Sequence, residues 1–246
     1  SEIPEIFSER FTKLNSMRRA IIYSDIINTV SDKYSKEILT PSYGCGLNEL
    51  LAEVRTKLYG ILNGIDYEDF NPKTDKLVKF NFDLNNLGKR VLNKKELQNE
   101  FNLPVDQNLP LLSMSYRLEE QKGLDLIVQV MEYILSEYKV QLVVNGDGDP
   151  QYKTFMKSLY EKFPEQVGLN LNANFTLPRH IFAGADMILL PSKFEPCGMV
   201  QMEAMRYGCV PLARAVGGLA DTVVDGITGF TFKAFNPLAF FGTVVK

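Results

Sequence analysis

From Leu109 onward, short apolar runs alternate with longer amphipathic ones, the pattern of strand-helix-strand units that assemble into a parallel sheet. Six strands are predicted: Pro110 to Tyr116, Val140 to Val144, Val167 to Asn172, Ala185 to Leu190, Cys209 to Arg214 and Phe230 to Phe232. Helical periodicity fills the gaps over Leu124 to Tyr138, with Leu126, Ile127, Val130 and Ile134 on one face, and over Tyr152 to Lys162, Pro178 to Phe182 and Met199 to Arg206. A last helix starts at Asn236-Pro237, and the apolar Phe240 and Phe241 beyond it predict a further C-terminal segment.

The first 65 residues form a different block. It holds a helical Phe11 to Tyr23, a strand Asp25 to Val30, a helix Asp32 to Ile38 and a turn-rich Tyr43-Gly44-Cys45-Gly46-Leu47. One strand makes no sheet, so residues 1–65 are read as the tail of a preceding Rossmann-like domain. Residues 66–108, with Asn71-Pro72-Lys73-Thr74-Asp75 and the polar run Asn81 to Lys95, supply turn residues and read as a hinge or linker. Residues 109–246 read as a second Rossmann-like unit, truncated at its C-terminal end. The expected fold class is α/β, a parallel sheet flanked by helices.

A hydrophobic content of 45%, 23% charged residues and a net charge of -3 describe a folded globular chain with no bulk attraction to nucleic acid. Cys45, Cys197 and Cys209 are odd in number and lack metal-ligand spacing, which argues against a disulfide framework or zinc cluster and for a reducing compartment. No run approaches the roughly 20 apolar residues of a membrane span, and Ser1-Glu2-Ile3-Pro4-Glu5 is no signal sequence. The expected location is the cytoplasm, or the plastid stroma in a plant or alga. His180 is the only histidine and sits in an amphipathic stretch, a structural or surface position.

Candidate chemistry gathers where strands end. Glu195 lies in a turn, between Pro196 and the strand that ends at Leu190, and Gly198 opens the next helix; open α/β sheets bind ligands at that carboxyl edge. The amides of Met199 and Val200 at that helix start suit a phosphate or hydroxyl. Glu203 follows Glu195 after seven residues, on a side of the helix expected to turn back toward it, so the two carboxylates could accept hydrogen bonds from sugar hydroxyls. Otherwise Glu203 is a solvated or capping glutamate. Gly217-Gly218 would let backbone approach a ligand, although turns use such pairs often. Arg117 and Lys122 flank Leu118-Glu119-Glu120-Gln121 after the first strand of the unit, where two cations can hold a diphosphate or simply pair with Glu119 and Glu120. Asn145-Gly146-Asp147-Gly148-Asp149-Pro150 lacks the third glycine of a dinucleotide loop, and its aspartates beside proline read as a turn rather than a metal site.

Taken together these segments resemble the bacterial glycogen synthases and plant starch synthases, retaining glucosyltransferases of the two-domain GT-B fold. The residues that carry the resemblance are Asn63-Gly64-Ile65-Asp66 with Asn71-Pro72 and Thr74-Asp75, Arg117-Leu118 with Gln121-Lys122-Gly123, Gly148-Asp149-Pro150 and Ala183-Gly184-Ala185-Asp186. Pro191-Ser192 with Phe194-Glu195-Pro196-Cys197-Gly198, Met205-Arg206-Tyr207-Gly208, and Gly217-Gly218-Leu219 with Asp221-Thr222-Val223 complete the set. The resemblance implies transfer of glucose from ADP-glucose to the 4-hydroxyl at the end of an α-1,4-glucan, without a metal or other cofactor. It implies that Arg117 and Lys122 hold the distal phosphate, that Glu195 fixes the glucose beside the amides of Cys197, Gly198 and Met199, that Glu203 faces the ribose and that Asn63 lies near the interdomain cleft. The family's N-terminal Lys-x-Gly-Gly-Leu motif is absent, so the chain alone is not expected to turn over. Ala173 stands where some members stack a tyrosine on adenine, and Tyr116 where a small residue usually precedes the arginine. Two alternatives stand beside this reading: a transferase of the same fold that uses UDP-glucose, and a non-catalytic homologue that binds glucan or nucleotide.

Overall fold

The computed structural model describes residues 15–172 and 174–246. Its larger sheet has six parallel strands, β3 (Leu111–Ser115), β4 (Gln141–Asn145), β5 (Val167–Asn170), β6 (Met187–Leu190), β7 (Val210–Arg214) and β8 (Phe230–Phe232), in the order β5-β4-β3-β6-β7-β8. Helices cover both faces: α4 (Arg90–Glu100), α5 (Leu124–Glu137), α6 (Pro150–Lys162), α7 (Leu177–Gly184), α8 (Val200–Arg206), α9 (Gly217–Thr222) and α10 (Pro237–Val244). Sheets covered on both faces need apolar residues on both, and β3 and β4 are buried throughout. Alternation then divides the core into two layers. Leu111, Val143, Ile188, Leu190 and Ala213 face the layer of Ile181 and Phe182, whereas Leu112, Met114, Leu142, Val144, Leu189 and Leu212 face that of Ile127, Met131 and Phe240.

The strands expected from the apolar runs are therefore present, with ends shifted by a residue or two. In helix α10 Phe240 is fully buried and Phe241 packs edge-on against Tyr133 and Tyr138.

The segment 66–108 packs onto the larger sheet. Val78, Phe82, Leu97, Phe101 and Leu103 are buried in the first core layer. Helix α4 escapes a hydrophobicity reading because its inward face, Leu97 apart, is polar. Lys94 Nζ donates to Asp186 Oδ2 at 2.6 Å and Leu109 O at 2.6 Å, Gln98 Nε2 to Gln141 Oε1 at 2.7 Å, and Asn93 Nδ2 to Phe80 O at 2.8 Å. Polar groups that find partners can be buried without the penalty of lost hydration.

The first block also differs from expectation. Its strand β1 (Ile27–Thr29) does make a sheet, pairing in parallel with β2 (Leu58–Gly60). Around it stand α1 (Ser16–Tyr23), α2 (Asp32–Glu37) and α3 (Asn48–Glu53), with Ile21, Ile38, Leu50 and Leu51 as a separate small core. Ser31 and Asn15 cap α2 and α1 through their side chains. Helix α2 packs on α9, which joins the block to the larger sheet. None of the described helices is long and apolar enough to cross a membrane.

Candidate active site

The order of the larger sheet reverses between β3 and β6. These strands are neighbours, but the chain leaves β3 toward β4 on one side and β6 toward β7 on the other. The two loops after them diverge and leave a crevice at the carboxyl edge. The loop after β3 ends in a short helical turn, Glu120–Lys122, and then Gly123 at φ +78°. A Cβ there would lie 1.9 Å from Pro191 O, so glycine alone lets this turn rest against the loop after β6. That approach brings Lys122 Nζ to 2.6 Å from Glu195 Oε2, with Ser192 Oγ at 3.4 Å from the same oxygen.

Glu195 is only 8% exposed. Its turn is held by its backbone: Gln121 O accepts Lys193 N–H at 2.8 Å, Gln121 Nε2 donates to Phe194 O at 3.1 Å, Arg214 Nη1 donates to Lys193 O at 2.6 Å, and Gly218 N–H donates to Glu195 O at 3.0 Å. The backbone is therefore pinned, while the carboxylate is held by a single short ion pair. Neutralised this way, it can lie in the crevice without the full cost of burying a charge.

Arg117 sits two residues beyond the end of β3, at the same edge, yet its side chain is 71% exposed and pairs with Glu119 at 3.1 Å. Glu120 pairs with Lys193. Of the surface pairings weighed for this loop, Arg117 with Glu119 forms, whereas Lys122 pairs with Glu195 and leaves Glu120 to Lys193. Arg117 also borders a cleft of about 480 Å³, together with Tyr116, Gly146, Gly148, Asn174 and Phe175. Gly146 and Gly148 have backbone behind them: a Cβ would lie 2.0 Å from Tyr116 O and 2.3 Å from Leu118 O respectively. Lys153 donates to Asp147 at 2.6 Å, which lowers that carboxyl's pKa, so the loop reads as cleft wall. Tyr116 turns its hydroxyl under the sheet, donating to Leu189 O at 2.7 Å; burial raises its pKa, and the charge of Glu195 adds to the rise. Ala173 lies outside the described residues. Two positions on, Phe175 is 92% exposed at the cleft rim, an aromatic that a search of Leu171 to Asn174 misses.

The glycine pair serves packing first. A Cβ on Gly217 would lie 1.8 Å from Glu195 O, and one on Gly218 would lie 2.0 Å from Cys197 O. The close approach expected for a ligand is thus made by the chain's own turn. Cys197 is buried, Gly198 takes φ +68°, and Met199 precedes α8, with Gln201 Nε2 donating to the carbonyls of Cys197 and Gly198 at 3.1 and 2.7 Å.

Glu203 has its charged neighbours in a different cluster from that of Glu195. Its electrostatic neighbours are Arg179 and Asp69; burial raises its carboxyl above the ordinary 4.5, and Arg179 partly opposes that rise. Arg179 is the centre of a second cluster that sequence reasoning missed. It donates to Asp75 Oδ2 at 2.8 Å and Asp69 Oδ2 at 2.7 Å and lies 3.7 Å from the Phe70 ring centroid. Asn63 is exposed, three residues past β2, outside both clusters. His180 occupies the structural position expected of it, bonded to Glu100 at 2.9 Å.

A sheet reversal carrying a buried Lys-Glu pair beside a glycine-walled cleft is a framework that recurs in known proteins. Residues 94–244 match the family described as glycosyl transferases group 1, and residues 4–53 match the starch synthase catalytic domain. The chain is 46% identical over 235 residues to a glycogen synthase of Fervidobacterium nodosum, covering 93% of this chain and 48% of that protein. It is 48% identical over 230 residues to one from Kosmotoga olearia, covering 91% and 48%. Among solved structures, the catalytic domain of starch synthase IV from Arabidopsis thaliana, bound to ADP and acarbose, superposes with a TM-score of 0.88 at 35% identity, covering 94% of this chain and 50% of that one. The chain spans about half the length of the curated relatives it matches. Its parallel sheet flanked by helices is of the GT-B type. With the family model covering the whole switch point from α4 to α10, the chain belongs to the group 1 glycosyl transferases.

Proposed function

We propose that the protein carrying this chain is a glycogen or starch synthase that transfers glucose from ADP-glucose to the terminal 4-hydroxyl of an α-1,4-glucan with retention. The observation that carries the reading is the Lys122-Glu195 pair at the switch point. In the reaction the bond between glucose C1 and the phosphate oxygen breaks, its electron pair leaving with ADP. A new bond forms from C1 to the acceptor oxygen as that hydroxyl passes its proton to the departing phosphate oxygen. Negative charge therefore grows on the leaving diphosphate, and a lysine held in a low-dielectric crevice stabilises it most where water is excluded. In this reading Lys122 swings from Glu195 toward the phosphate, and the freed carboxylate accepts hydrogen bonds from the glucose hydroxyls. Arg117 exchanges its weak surface pairing with Glu119 for the same diphosphate, an exchange that costs little because exposed ion pairs contribute at most about 1 kcal/mol. Phe175 offers a ring face to the adenine. Glu203 is assigned to the ribose and Asn63 to the cleft edge. The amides of Cys197, Gly198 and Met199 line the sugar site, beside the wall built by Gly217 and Gly218.

We also read residues 1–65 as the tail of the acceptor-side domain and 109–246 as the donor-binding unit, with 66–108 packed onto the latter. The choice of ADP rests on the relatives: the Arabidopsis enzyme was solved with ADP. Calorimetric titration with ADP, ADP-glucose, UDP and UDP-glucose tests it. Tighter binding of the adenine nucleotides is expected. A uridine preference overturns the donor assignment, and a full-length protein that binds ADP-glucose but adds no glucose to glycogen is a binding homologue instead.

A further inference from the structure

Helix α2 belongs to the small sheet, yet its contacts end beneath the Glu195 turn. Asp221 Oδ2, on α9, accepts Ser31 Oγ at 2.6 Å and Lys33 N–H at 2.9 Å. Glu37 Oε2, at the last turn of α2, accepts the N–H of Gly217 at 3.0 Å. The Glu37 side chain keeps 11% exposure, with Lys33 at 3.8 Å one turn back on the helix and Arg214 near enough to act on its charge. Burial raises its carboxyl above the ordinary 4.5, and the Gly217 amide, Lys33 and Arg214 pull it back.

What Glu37 grips is the backbone on which Glu195 rests. Gly217 takes φ +44°, a left-handed setting that leaves its Cα flush against Glu195 O, and Gly218 N–H donates to that same carbonyl at 3.0 Å. Gly218 in turn abuts Cys197 O. One side-chain hydrogen bond and one backbone hydrogen bond thus connect a helix of the first block to the residue facing Lys122. Hydrogen bonds with a charged acceptor are about twice as strong as neutral ones, which makes the first link the firmer of the two.

We propose that Glu37 is a positioning residue for transfer: by clamping the Gly217 amide it sets the Gly217-Gly218 backbone, and through it the height of the Glu195 turn, so that the site is complete only while α2 is docked on α9. This deepens the glucosyltransferase reading and rests on Glu195 being the group that holds the sugar. Coupling runs through contiguous contacts, as a mechanical link requires.

Amide hydrogen exchange in the full-length protein tests the link without relying on activity. Removing a hydrogen bond to a charged group should raise local opening by about tenfold or more, so Glu37→Ala is expected to speed exchange of the Gly218 amide by that factor. Glu37→Gln, which keeps an acceptor at the same reach, restores most of the protection. Lys33→Ala, which removes the neighbouring charge but not the clamp, leaves Gly218 at its wild-type rate. Glu37→Asp keeps the charge but withdraws it from Gly217; it shifts Gly218 the same way and decides the question if the alanine variant does not fold. In parallel, kcat for glucose transfer should fall by about tenfold in Glu37→Ala, with a smaller change in KM for ADP-glucose, and recover in Glu37→Gln. Faster exchange at Gly217 with Gly218 unchanged overturns the proposal, for Glu37 then caps α9 and nothing more. A wild-type protein that transfers no glucose sinks the glucosyltransferase reading instead, and the exchange comparison still decides the link.

Discussion

The ion-pair clusters around Arg179 and around Glu195 are built on opposite plans. Around Arg179 every direction is filled: Asp75 and Asp69 accept from it, Phe70 stacks on it, and Asp75 also accepts from Tyr207 Oη and from the Leu77 amide. Around Glu195 the backbone is pinned from three elements, but the carboxylate meets only Lys122 at short range. A saturated network rigidifies a junction, here that of the 66–82 segment with α7 and α8. A pair with spare acceptor and donor capacity at a sheet reversal can exchange partners with a ligand. Burial and opposite charge alone would not tell these clusters apart. Residual hydrogen-bonding capacity and position at the switch point do.

Substitutions should separate the two plans. Lys122→Ala is expected to lower kcat for glucose transfer by about 100- to 1000-fold, the scale of losing one preorganised electrostatic group, a loss that persists in the folded fraction even though Glu195, left without its partner, also lowers the melting temperature. Steady-state kinetics alongside a thermal melt read both. Arg179→Ala should spare that rate: breaking a buried pair costs about 3–5 kcal/mol of stability, seen as a lower denaturant midpoint, while the folded fraction keeps most of its kcat. A large kcat loss at unchanged stability would erase the contrast. Phe175→Ala should raise KM for ADP-glucose by about tenfold, the scale of one aromatic stacking contact, and leave kcat close to wild type.

The smallest effect concerns Glu203. Burial raises its carboxyl in the folded state above the ordinary 4.5, so the folded protein holds that proton more tightly than the unfolded chain does. Its contribution to stability is therefore fully present below the ordinary value and is lost as pH rises through the folded value. Glu203→Gln should flatten the dependence of melting temperature on pH in the window just above 4.5. An unchanged slope would show that Arg179 already compensates the carboxylate.

Much of this was legible in the residues. Continuous apolar runs marked the strands because a parallel sheet is buried on both faces, and the glutamate between strand and glycine marked the crevice because that junction lies at the carboxyl edge. Helix α4 was hidden for the converse reason: its buried Asn93, Lys94 and Gln98 carry no hydrophobic signal, and only the tertiary partners Phe80, Asp186 and Gln141 make it intelligible. Strand β2, three residues with an exposed Tyr59, is too short to show a period. Spacing placed Glu203 on the right helix, but which way a side chain leans depends on what packs beside it, and Arg179 lies 24 residues earlier in the chain. The glycine pair does mark a close approach, but of the chain's own Glu195 and Cys197 backbone.

In the proposed reaction the carboxylate facing Lys122 holds the transferred sugar. Glu195→Gln tests it most directly, since the amide keeps the shape and removes only the charge. Incorporation of glucose from ADP-glucose into glycogen, measured for both full-length proteins with their melting temperatures, should fall by at least about 100-fold in the variant while the fold persists. Equal incorporation by wild type and variant would contradict the account.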